Sequence, residues 1–239
     1  LTHIPVMLLD LGPDHRTEIL RRMHSKLIAQ FGRVIRPDDK RRDPMWTLVQ
    51  GVIGARAKTA VSNDNADRLL AEYGSWERVA EAPIEDLTAR LQTATFPAMA
   101  AERLKACLQE IIAQRGKASL DHLESKDTAD AMAWLETLPG IARKISAGIM
   151  NTSQFNRKAL VLDSGHRRVV QRMGLVPAKA DTTRAYDELM PLLPAIWSAE
   201  DLDEHHLLGK RLAQTICRPK RPDCPSCPVG ADCETGAAL

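Results

Sequence analysis

The sequence predicts an all-α protein, and three features of the chain favour this class. Apolar residues recur at helical spacing with charges between them, as at Ile19, Met23 and Leu27. Runs of alternating β-branched residues, which are typical of strands, are few. Proline and glycine separate helical segments of about ten to fifteen residues, as in a compact helical bundle. With 239 residues, 44% of them hydrophobic, the chain can form one large domain or two modest ones.

The first segment, from Asp14 to Gly32, is predicted to be an amphipathic helix that ends at the glycine. The polar stretch RVIRPDDKRRDP follows as a linker. Its basic residues could contact a nucleic acid, although a solvated loop is the commoner meaning of such a run. An apolar helix is expected from Pro44 to Ile53, with further helices after it. Cys107 lies in one of these apolar patterns and is expected to be an inert core thiol.

The later part of the chain is broken up by Pro177, Pro191 and Pro194, and a final helix then leads directly into a group of cysteines. The adjacent His205 and His206 lie on that helix. Neighbouring side chains on a helix diverge by about a hundred degrees, so the two imidazoles cannot easily bind one ion. We expect them to be packing or helix-surface histidines.

The composition does not identify the binding partner, but it argues against some classes of protein. The 33 Lys and Arg against 31 Asp and Glu give a net charge of +2, so a nucleic-acid-binding face would need uneven placement of charge. No apolar run reaches the roughly 18 residues of a membrane span. The opening LTHIPVMLLD lacks the basic region and cleavage site of a secretory signal. A soluble cytoplasmic protein is expected.

A tight turn at Pro139 and Gly140 separates two predicted helices, the first ending near Leu138 and the second starting close to Ala142. This pattern predicts a helix-hairpin-helix. The glycine lets the backbone approach closely, and the unpaired N–H groups at the start of the second helix can bind a phosphate. Such contacts would hold DNA without reading its bases, but a Pro-Gly turn between helices is also ordinary turn chemistry.

A lysine and a carboxylate accompany this hairpin. Lys144 lies on the first turn of the second helix, and Asp163 follows the apolar run from Ala159 to Leu162. A carboxylate at the end of a buried segment is costly unless it is paired or used in chemistry. Asp163 is also a candidate N-cap for a helix that begins near Gly165, a role that does not exclude catalysis.

Four of the five cysteines lie within seventeen positions, with the spacing C-x6-C-x2-C-x5-C: Cys217, Cys224, Cys227 and Cys233. This crowding is unsuited to a disulfide framework, and four thiolates so close together predict a soft metal centre. Zinc ribbons usually pair two CxxC knuckles, and the bacterial ferredoxin run has shorter gaps than these. Zinc and an iron–sulfur cluster both remain open on spacing alone.

In combination these motifs resemble the helix-hairpin-helix DNA glycosylase superfamily, and specifically its endonuclease III branch, which carries a [4Fe–4S] cluster. The family hairpin L-P-G-[VI]-G-x-K matches residues 138–144, and the catalytic-aspartate motif V-D-T-H-x-x-R-V matches residues 162–169. The cysteine spacing agrees at every gap. The similarity runs from about residue 44 to residue 233, and it favours the [4Fe–4S] cluster over zinc.

The resemblance implies two all-α domains with DNA bound in the cleft between them. A six-helix barrel containing the hairpin would span residues 38–156, and a discontinuous iron–sulfur cluster domain would combine 1–37 with 157–239. The resemblance implies that the partner is double-stranded DNA with a damaged base or an abasic site. It also implies that the protein is a monomer. The implied DNA contacts are Leu138, Gly140, Ala142 and Arg143 in the hairpin and Arg218, Lys220 and Arg221 in the cluster loop.

The resemblance also implies base flipping followed by glycosidic-bond cleavage. Lys144 would attack C1′ of the deoxyribose and form a Schiff base, Asp163 would deprotonate the amine or stabilise the developing positive charge, and β-elimination would nick the strand. An oxidised pyrimidine is the expected substrate. The alternatives are another lesion (a uracil, a mismatch or an alkylated base), a glycosylase without lyase activity, and a non-catalytic protein that binds DNA structures.

The chain departs from the family pattern at three places. Ala142 replaces a glycine of the hairpin, which is tolerated or costs about 1 kcal/mol if φ is positive. Ser164 and Gly165 replace Thr-His after the aspartate, and residues 54–59 replace S-A-Q-x-T-D. Arg56 is therefore the inferred residue that fills the gap left by a flipped base, and Phe96 is a further wedge candidate. These changes leave the lesion open.

Overall fold

Helices make up the regular structure of residues 14–54 and 56–237, the part of the chain that this computed structural model describes. Within these ranges no strand forms, and one isolated bridge joins Arg42 to Ser153. The predicted all-α class is therefore confirmed. The opening stretch, which was expected to carry no secretory signal, lies outside the described residues. None of the described helices is both long and apolar enough to span a membrane.

The α-helices are, in chain order, α1 (His15–Phe31), α2 (Pro44–Ile53), α3 (Thr59–Tyr73), α4 (Trp76–Glu81), α5 (Ile84–Arg90), α6 (Pro97–Arg115), α7 (Thr128–Glu136), α8 (Arg143–Thr152), α9 (Ser164–Arg172), α10 (Thr182–Leu189), α11 (Ala199–Thr215) and α12 (Glu234–Ala237). Single 3-10 turns lie between some of them, at Asp38–Lys40, Asp121–Leu123, Met190–Leu192 and Gly230–Asp232.

Local sequence explains where the helices start and stop. The Asp14 carboxylate accepts a hydrogen bond from the first turn of α1, and the Asp43 carboxylate accepts from the first turn of α2. Ser198 and Asp201 form a capping box at the start of α11. Gly32 ends α1 with a φ of 78°, a conformation that suits glycine. The predicted end of the first helix at this glycine is confirmed.

Two hydrophobic cores divide the chain. The first is built from α2 to α8, between Met45 and Ala159; the second combines α1 with the chain from Leu160 to Val229. The chain passes from one core to the other along its buried apolar run, between Ala159 and Leu160. Since α8 belongs to the first core and α9 and α11 to the second, side chains of both meet at the junction. The boundaries at 37/38 and 156/157 stay predictions.

The basic linker between α1 and α2 is mostly exposed, as expected, but three of its arginines contact the rest of the fold. Its Arg33 pairs with Glu204, and Arg36 donates to Asp203 at 2.8 Å. Both acids lie on α11 and are 2% exposed. The buried Arg41 donates to the carbonyl of Asn151 at 2.8 Å. The expectation of a solvated run is wrong at the buried Arg41, whereas Arg33 keeps more than half of its side chain exposed while it pairs with a buried acid; buried acceptors at the junction need these donors.

Candidate active site

The hairpin forms as predicted. The turn between α7 and α8 places Gly140 at φ 80°, and its backbone is exposed. Ala142 is the N-cap residue of α8, with φ −120° and no side-chain cap. The alanine therefore adopts an extended conformation that costs nothing, and the first N–H groups of α8 are left for an outside acceptor.

Two of the residues predicted to contact DNA from the hairpin are not positioned to bind a phosphate. The Leu138 side chain is 2% exposed and belongs to the first core. Arg143 pairs with Glu136 at 2.7 Å and with Asp187, and its guanidinium lies 4.9 Å from the ring centre of Tyr186. The Arg143 guanidinium thus links α8 to α7 and α10 through ion pairs. The hairpin is therefore left with mainly backbone groups to offer a ligand.

Lys144 lies one position into α8, at the mouth of the cleft between the two cores. Its side chain is solvent-accessible, but the surrounding walls displace much of the water around the amine. This desolvation lowers the pKa of Lys144, although the nearby carboxylate of Asp163 opposes it; the ammonium of Lys210 lowers the pKa further. A lowered pKa increases the fraction of free amine at neutral pH.

Asp163 is the N-cap residue of α9, as predicted, and its Oδ1 accepts a hydrogen bond from the backbone N–H of His166 at 2.8 Å. Burial acts to raise the pKa of Asp163. The N–H of His166 and the ammonium of Lys210 act in the opposite direction, and the pKa lies below its ordinary value. The carboxylate is thus ionised at neutral pH, and its second oxygen is not needed for the cap.

The two groups share one cavity. Lys144 and Asp163 both line a cleft of about 600 Å³, together with residues of α2, α3, α9 and α11. Polar side chains at its walls include Gln50, which donates to the Ser62 hydroxyl at 2.8 Å. At another wall lies the ion pair of Arg36 and Asp203. A cavity of this size can hold a flat heterocyclic ring and its sugar.

A row of buried imidazoles backs the cavity. The ring centres of His24 and His205 lie 5.4 Å apart, those of His205 and His166 lie 5.1 Å apart, and those of His166 and His206 lie 5.8 Å apart. Burial lowers the pKa of His166 to about 4 and that of His206 to about 3. The rings are neutral at neutral pH, so the prediction of packing histidines at 205 and 206 is confirmed.

The two wedge candidates lie side by side at the cleft rim. Arg56 has a left-handed backbone, with φ 57°, and its guanidinium carbon lies 5.8 Å from the ring centre of Phe96. The Thr95 hydroxyl donates to the Arg56 carbonyl at 3.2 Å and so ties the two loops together. Phe96 is 40% exposed and Met99 is 42% exposed, which is unusual for large apolar side chains.

The four cysteines surround one small cavity after α11. Cys217, Cys224, Cys227 and Cys233 all line this cavity. Four thiolates around one space form a donor set for a soft metal centre, the set that an iron–sulfur cluster uses.

The basic residues between the first two cysteines are presented to solvent. Arg218, Lys220 and Arg221 are all exposed. Arg218 and Lys220 also line a second cavity, of about 670 Å³, which shares Asp163 and Lys210 with the first. The predicted cluster-loop contacts therefore lie on the same side of the molecule as the candidate catalytic pair.

Sequence reasoning missed the residues that hold this loop. Arg168 donates to the carbonyl of Cys217 at 2.8 Å, and Arg172, one turn later on α9, donates to the carbonyl of Arg218 at 2.8 Å and lies 3.3 Å from the Cys217 sulfur. The i, i+4 spacing of two arginines after Asp163 was the available signal. Lys210 was also missed, since nothing local marks a lysine on α11 as a cleft residue.

Comparison with known proteins agrees with this geometry. Endonuclease III of Thermotoga maritima is 24% identical to this chain over 218 residues, which cover 90% of the chain and 92% of the relative. Endonuclease III of Rickettsia conorii is 28% identical over 192 residues, covering 79% of the chain and 83% of the relative. No protein-family model matches the chain.

A solved structure shows the same fold. It is a trapped covalent intermediate of endonuclease III with DNA, it superposes with a TM-score of 0.74 at 20% identity, and the match covers 93% of this chain and 97% of that one. The fold agrees over nearly the whole chain, and the two relatives align over most of it. The hairpin and the capped aspartate lie where the motifs require them. This chain is therefore similar to endonuclease III along most of its length and shares the fold of that enzyme's solved structure.

Proposed function

We propose that this protein binds duplex DNA, flips a damaged base into the cleft between its two cores, and excises it, with an oxidised pyrimidine as the substrate. The strand is then nicked at the abasic site through a Schiff base on Lys144. The observation that carries the proposal is the shared cavity of about 600 Å³ lined by Lys144 and Asp163. The solved neighbour that was trapped as a covalent intermediate with DNA supports a covalent step.

The proposed reaction follows from the protonation states of Lys144 and Asp163. The free amine of Lys144 attacks C1′, the glycosidic bond breaks, and the base leaves with the bonding electron pair. Asp163, ionised in the folded protein, accepts the proton that the Lys144 nitrogen loses and stabilises positive charge on the sugar. Opening of the sugar ring gives the Schiff base. Loss of a proton from C2′ then expels the 3′ phosphate, which nicks the strand.

Three surfaces would hold the DNA. Backbone N–H groups at Gly140 and Ala142 would bind a phosphate without reading sequence. Arg56 and Phe96 would enter the duplex: the ring stacks on bases while the guanidinium fills the space of the flipped nucleotide. The loop basic residues Arg218, Lys220 and Arg221 would bind phosphates on the side of the cysteines.

A [4Fe–4S] cluster would be held by Cys217, Cys224, Cys227 and Cys233. Bound there, it supplies covalent cross-links that fix the shape of the loop between Cys217 and Cys224. The chain already contributes to this: Arg172 donates to the carbonyls of Arg218 and Pro219 at 2.8 Å and 3.0 Å. The basic side chains would then project from a fixed backbone, which lowers the entropy lost on binding DNA.

Borohydride trapping on a duplex with one abasic site tests the covalent step. Wild type should cross-link to the DNA, and peptide mapping should find the adduct on Lys144. Lys144→Ala should abolish trapping. Lys117→Ala is the matched control, because Lys117 is an exposed lysine that pairs with Asp121 outside the cleft, and it should trap like wild type. If Lys144→Ala trapped as fully as wild type, Lys144 would not be the nucleophile.

A panel of duplexes tests the substrate. Each duplex carries one oxidised pyrimidine, uracil, mismatch or alkylated base, and products are measured with and without alkaline cleavage. The proposal predicts release of oxidised pyrimidines with strand nicking in the absence of alkali. Nicking only after alkali would indicate a glycosylase without lyase activity. Tight binding without any processed substrate would favour a non-catalytic DNA-structure-binding protein.

A further inference from the structure

Lys210 lies in the candidate active site, although its position in the sequence does not mark it. It sits in the middle of α11, on the second core, and its Nζ lies 3.4 Å from the Thr59 hydroxyl oxygen at the start of α3, on the first core. The two residues are 151 positions apart. This contact crosses the cleft and holds a second lysine side chain beside the cavity that Lys144 lines.

Lys210 also belongs to the walls of two cavities on this face. It lines both the cleft of about 600 Å³ and the cavity of about 670 Å³, and Asp163 and Ser164 do so too. An ammonium in this wall is close enough to act on both candidate catalytic groups. It lowers the pKa of Lys144 and lowers the pKa of Asp163. It therefore favours the free amine on one group and the carboxylate on the other.

The other charged groups around the cleft do not replace it. Arg36 is paired with Asp203, and His206 is neutral at neutral pH because burial lowers its pKa to about 3. Helices α2 and α8 present the uncharged Thr47, Gln50 and Gly148, and Thr182 faces the cavity from α10. Arg56 is turned toward Phe96 at the rim. Apart from desolvation, the charges that act on the Lys144 amine are Asp163 and Lys210.

The charges of Asp163 and Lys210 have opposite effects on the Lys144 amine. The carboxylate of Asp163 stabilises the ammonium form of Lys144, which is not nucleophilic. A second cation beside a reactive lysine is a known means of restoring its free amine. We infer that Lys210 is a positioning residue for the proposed reaction, whose charge offsets that of Asp163 and keeps the Lys144 amine free to attack. This inference rests on the proposed function, because it gives Lys144 the role of nucleophile.

The test uses pulse acetylation of the DNA-free protein across a pH series, with the modified Lys144 peptide measured by mass spectrometry. Only a free amine reacts, so the labelling curve reports the protonation of Lys144 directly. In Lys210→Met the curve should move to higher pH, and Lys210→Arg should restore it. Arg211→Met, which changes the next residue on the same helix outside the cleft, should leave it unchanged.

Single-turnover borohydride trapping on abasic DNA gives the second measurement. At pH 7 the Lys210→Met protein should trap roughly three- to tenfold more slowly than wild type, and the difference should shrink as the pH rises. A purely structural loss would slow trapping equally at every pH. A simple phosphate contact would weaken DNA binding without moving the acetylation curve. Either result would overturn the inference.

The two proposals fail in different ways. If wild type does not trap while the acetylation curve of Lys210→Met still moves, the lyase function is wrong and the electrostatic role of Lys210 stands. If wild type traps and the acetylation curves of wild type and Lys210→Met coincide, the role of Lys210 is wrong and the lyase function stands. Thr59→Val, which removes the oxygen that holds the Lys210 amine, should move the curve in the same direction by a smaller amount.

Discussion

Replacing Gly209 with alanine should destabilise the protein, although alanine is the better helix former. Gly209 lies in the middle of α11, where an added Cβ would be 2.6 Å from Cδ2 and 2.9 Å from Nε2 of His166. Carbon atoms in contact are normally about 3.5–4.0 Å apart, so the overlap is about 1 Å. The His166 ring is 0% exposed and lies against the rings of His205 and His206, which leaves it little room to move.

The magnitude follows from two opposing effects. Overpacking of this kind costs about 1–3 kcal/mol, and the change from glycine to alanine in a helix interior returns up to about 1 kcal/mol. We expect a net loss of about 1–2 kcal/mol in the free energy of unfolding. For a chain of this size the melting temperature should fall by about 2–8 °C. Trapping should slow as well, because α9 carries Asp163 at its start.

Gly148→Ala is the matched control for stability. Gly148 is also inside a helix, α8, but an added Cβ there would meet nothing within 4 Å. This variant should melt at or slightly above the wild-type temperature. Thermal unfolding of the three proteins in one buffer checks the reasoning. If Gly209→Ala were as stable as Gly148→Ala, the contact between α9 and α11 would be looser than the structure describes, and the argument would be refuted.

Three other predictions concern Asp163, His166 and the cysteines. Asp163→Ala should lower the free energy of unfolding by about 1 kcal/mol through loss of the cap, while Asp163→Asn should keep the cap and lose trapping; melting and trapping on both variants separate the two roles. Acid should destabilise the protein between about pH 6.5 and 4, by up to about 3 kcal/mol for His166 alone, because its pKa is about 4 in the fold and about 6.5 when unfolded; urea unfolding at several pH values measures this. The purified protein should contain about four irons per chain and absorb in the visible range, and Cys224→Ser should lose both.

Each of these has a result that would contradict it. The sign for His166 follows from burial: the unfolded chain binds a proton more readily than the buried ring, so stability is complete above about pH 6.5 and declines below it. A urea midpoint that stayed constant from pH 7 to 4.5 would contradict this. A colourless protein containing zinc would remove the cluster, and equal melting temperatures for Asp163→Ala and wild type would mean that the cap contributes nothing.

The local features of the fold were predictable from short stretches of sequence. Gly32 ends α1, the Asp163 side chain caps α9, and the turn before Ala142 joins two helices, all as expected. These features depend on backbone hydrogen bonds and φ values within a few residues, so the identity of one residue and its neighbours is enough to decide them. The same holds for the crowding of the cysteines, which is set by spacing along the chain.

The basic linker shows why other features were not predictable. A run of arginines between two helices is usually solvated, yet Arg33 and Arg36 pair with Glu204 and Asp203, which lie 171 and 167 positions later. The pairing exists because α11 buries those two acids at the junction of the cores, where an unpaired carboxylate would be costly. Nothing near the linker in sequence carries this information.

By itself the sequence determined the helical class, the hairpin, the candidate pair Lys144 and Asp163, and the cysteine loop. Only the tertiary structure decided that Arg143 is used in ion pairs, that Arg56 lies against Phe96, and that Lys210 reaches Thr59 across the cleft. The physical reason is the range of the forces involved. Helix caps and turns act over a few residues, whereas charge, desolvation and packing act between surfaces that the chain brings together only on folding.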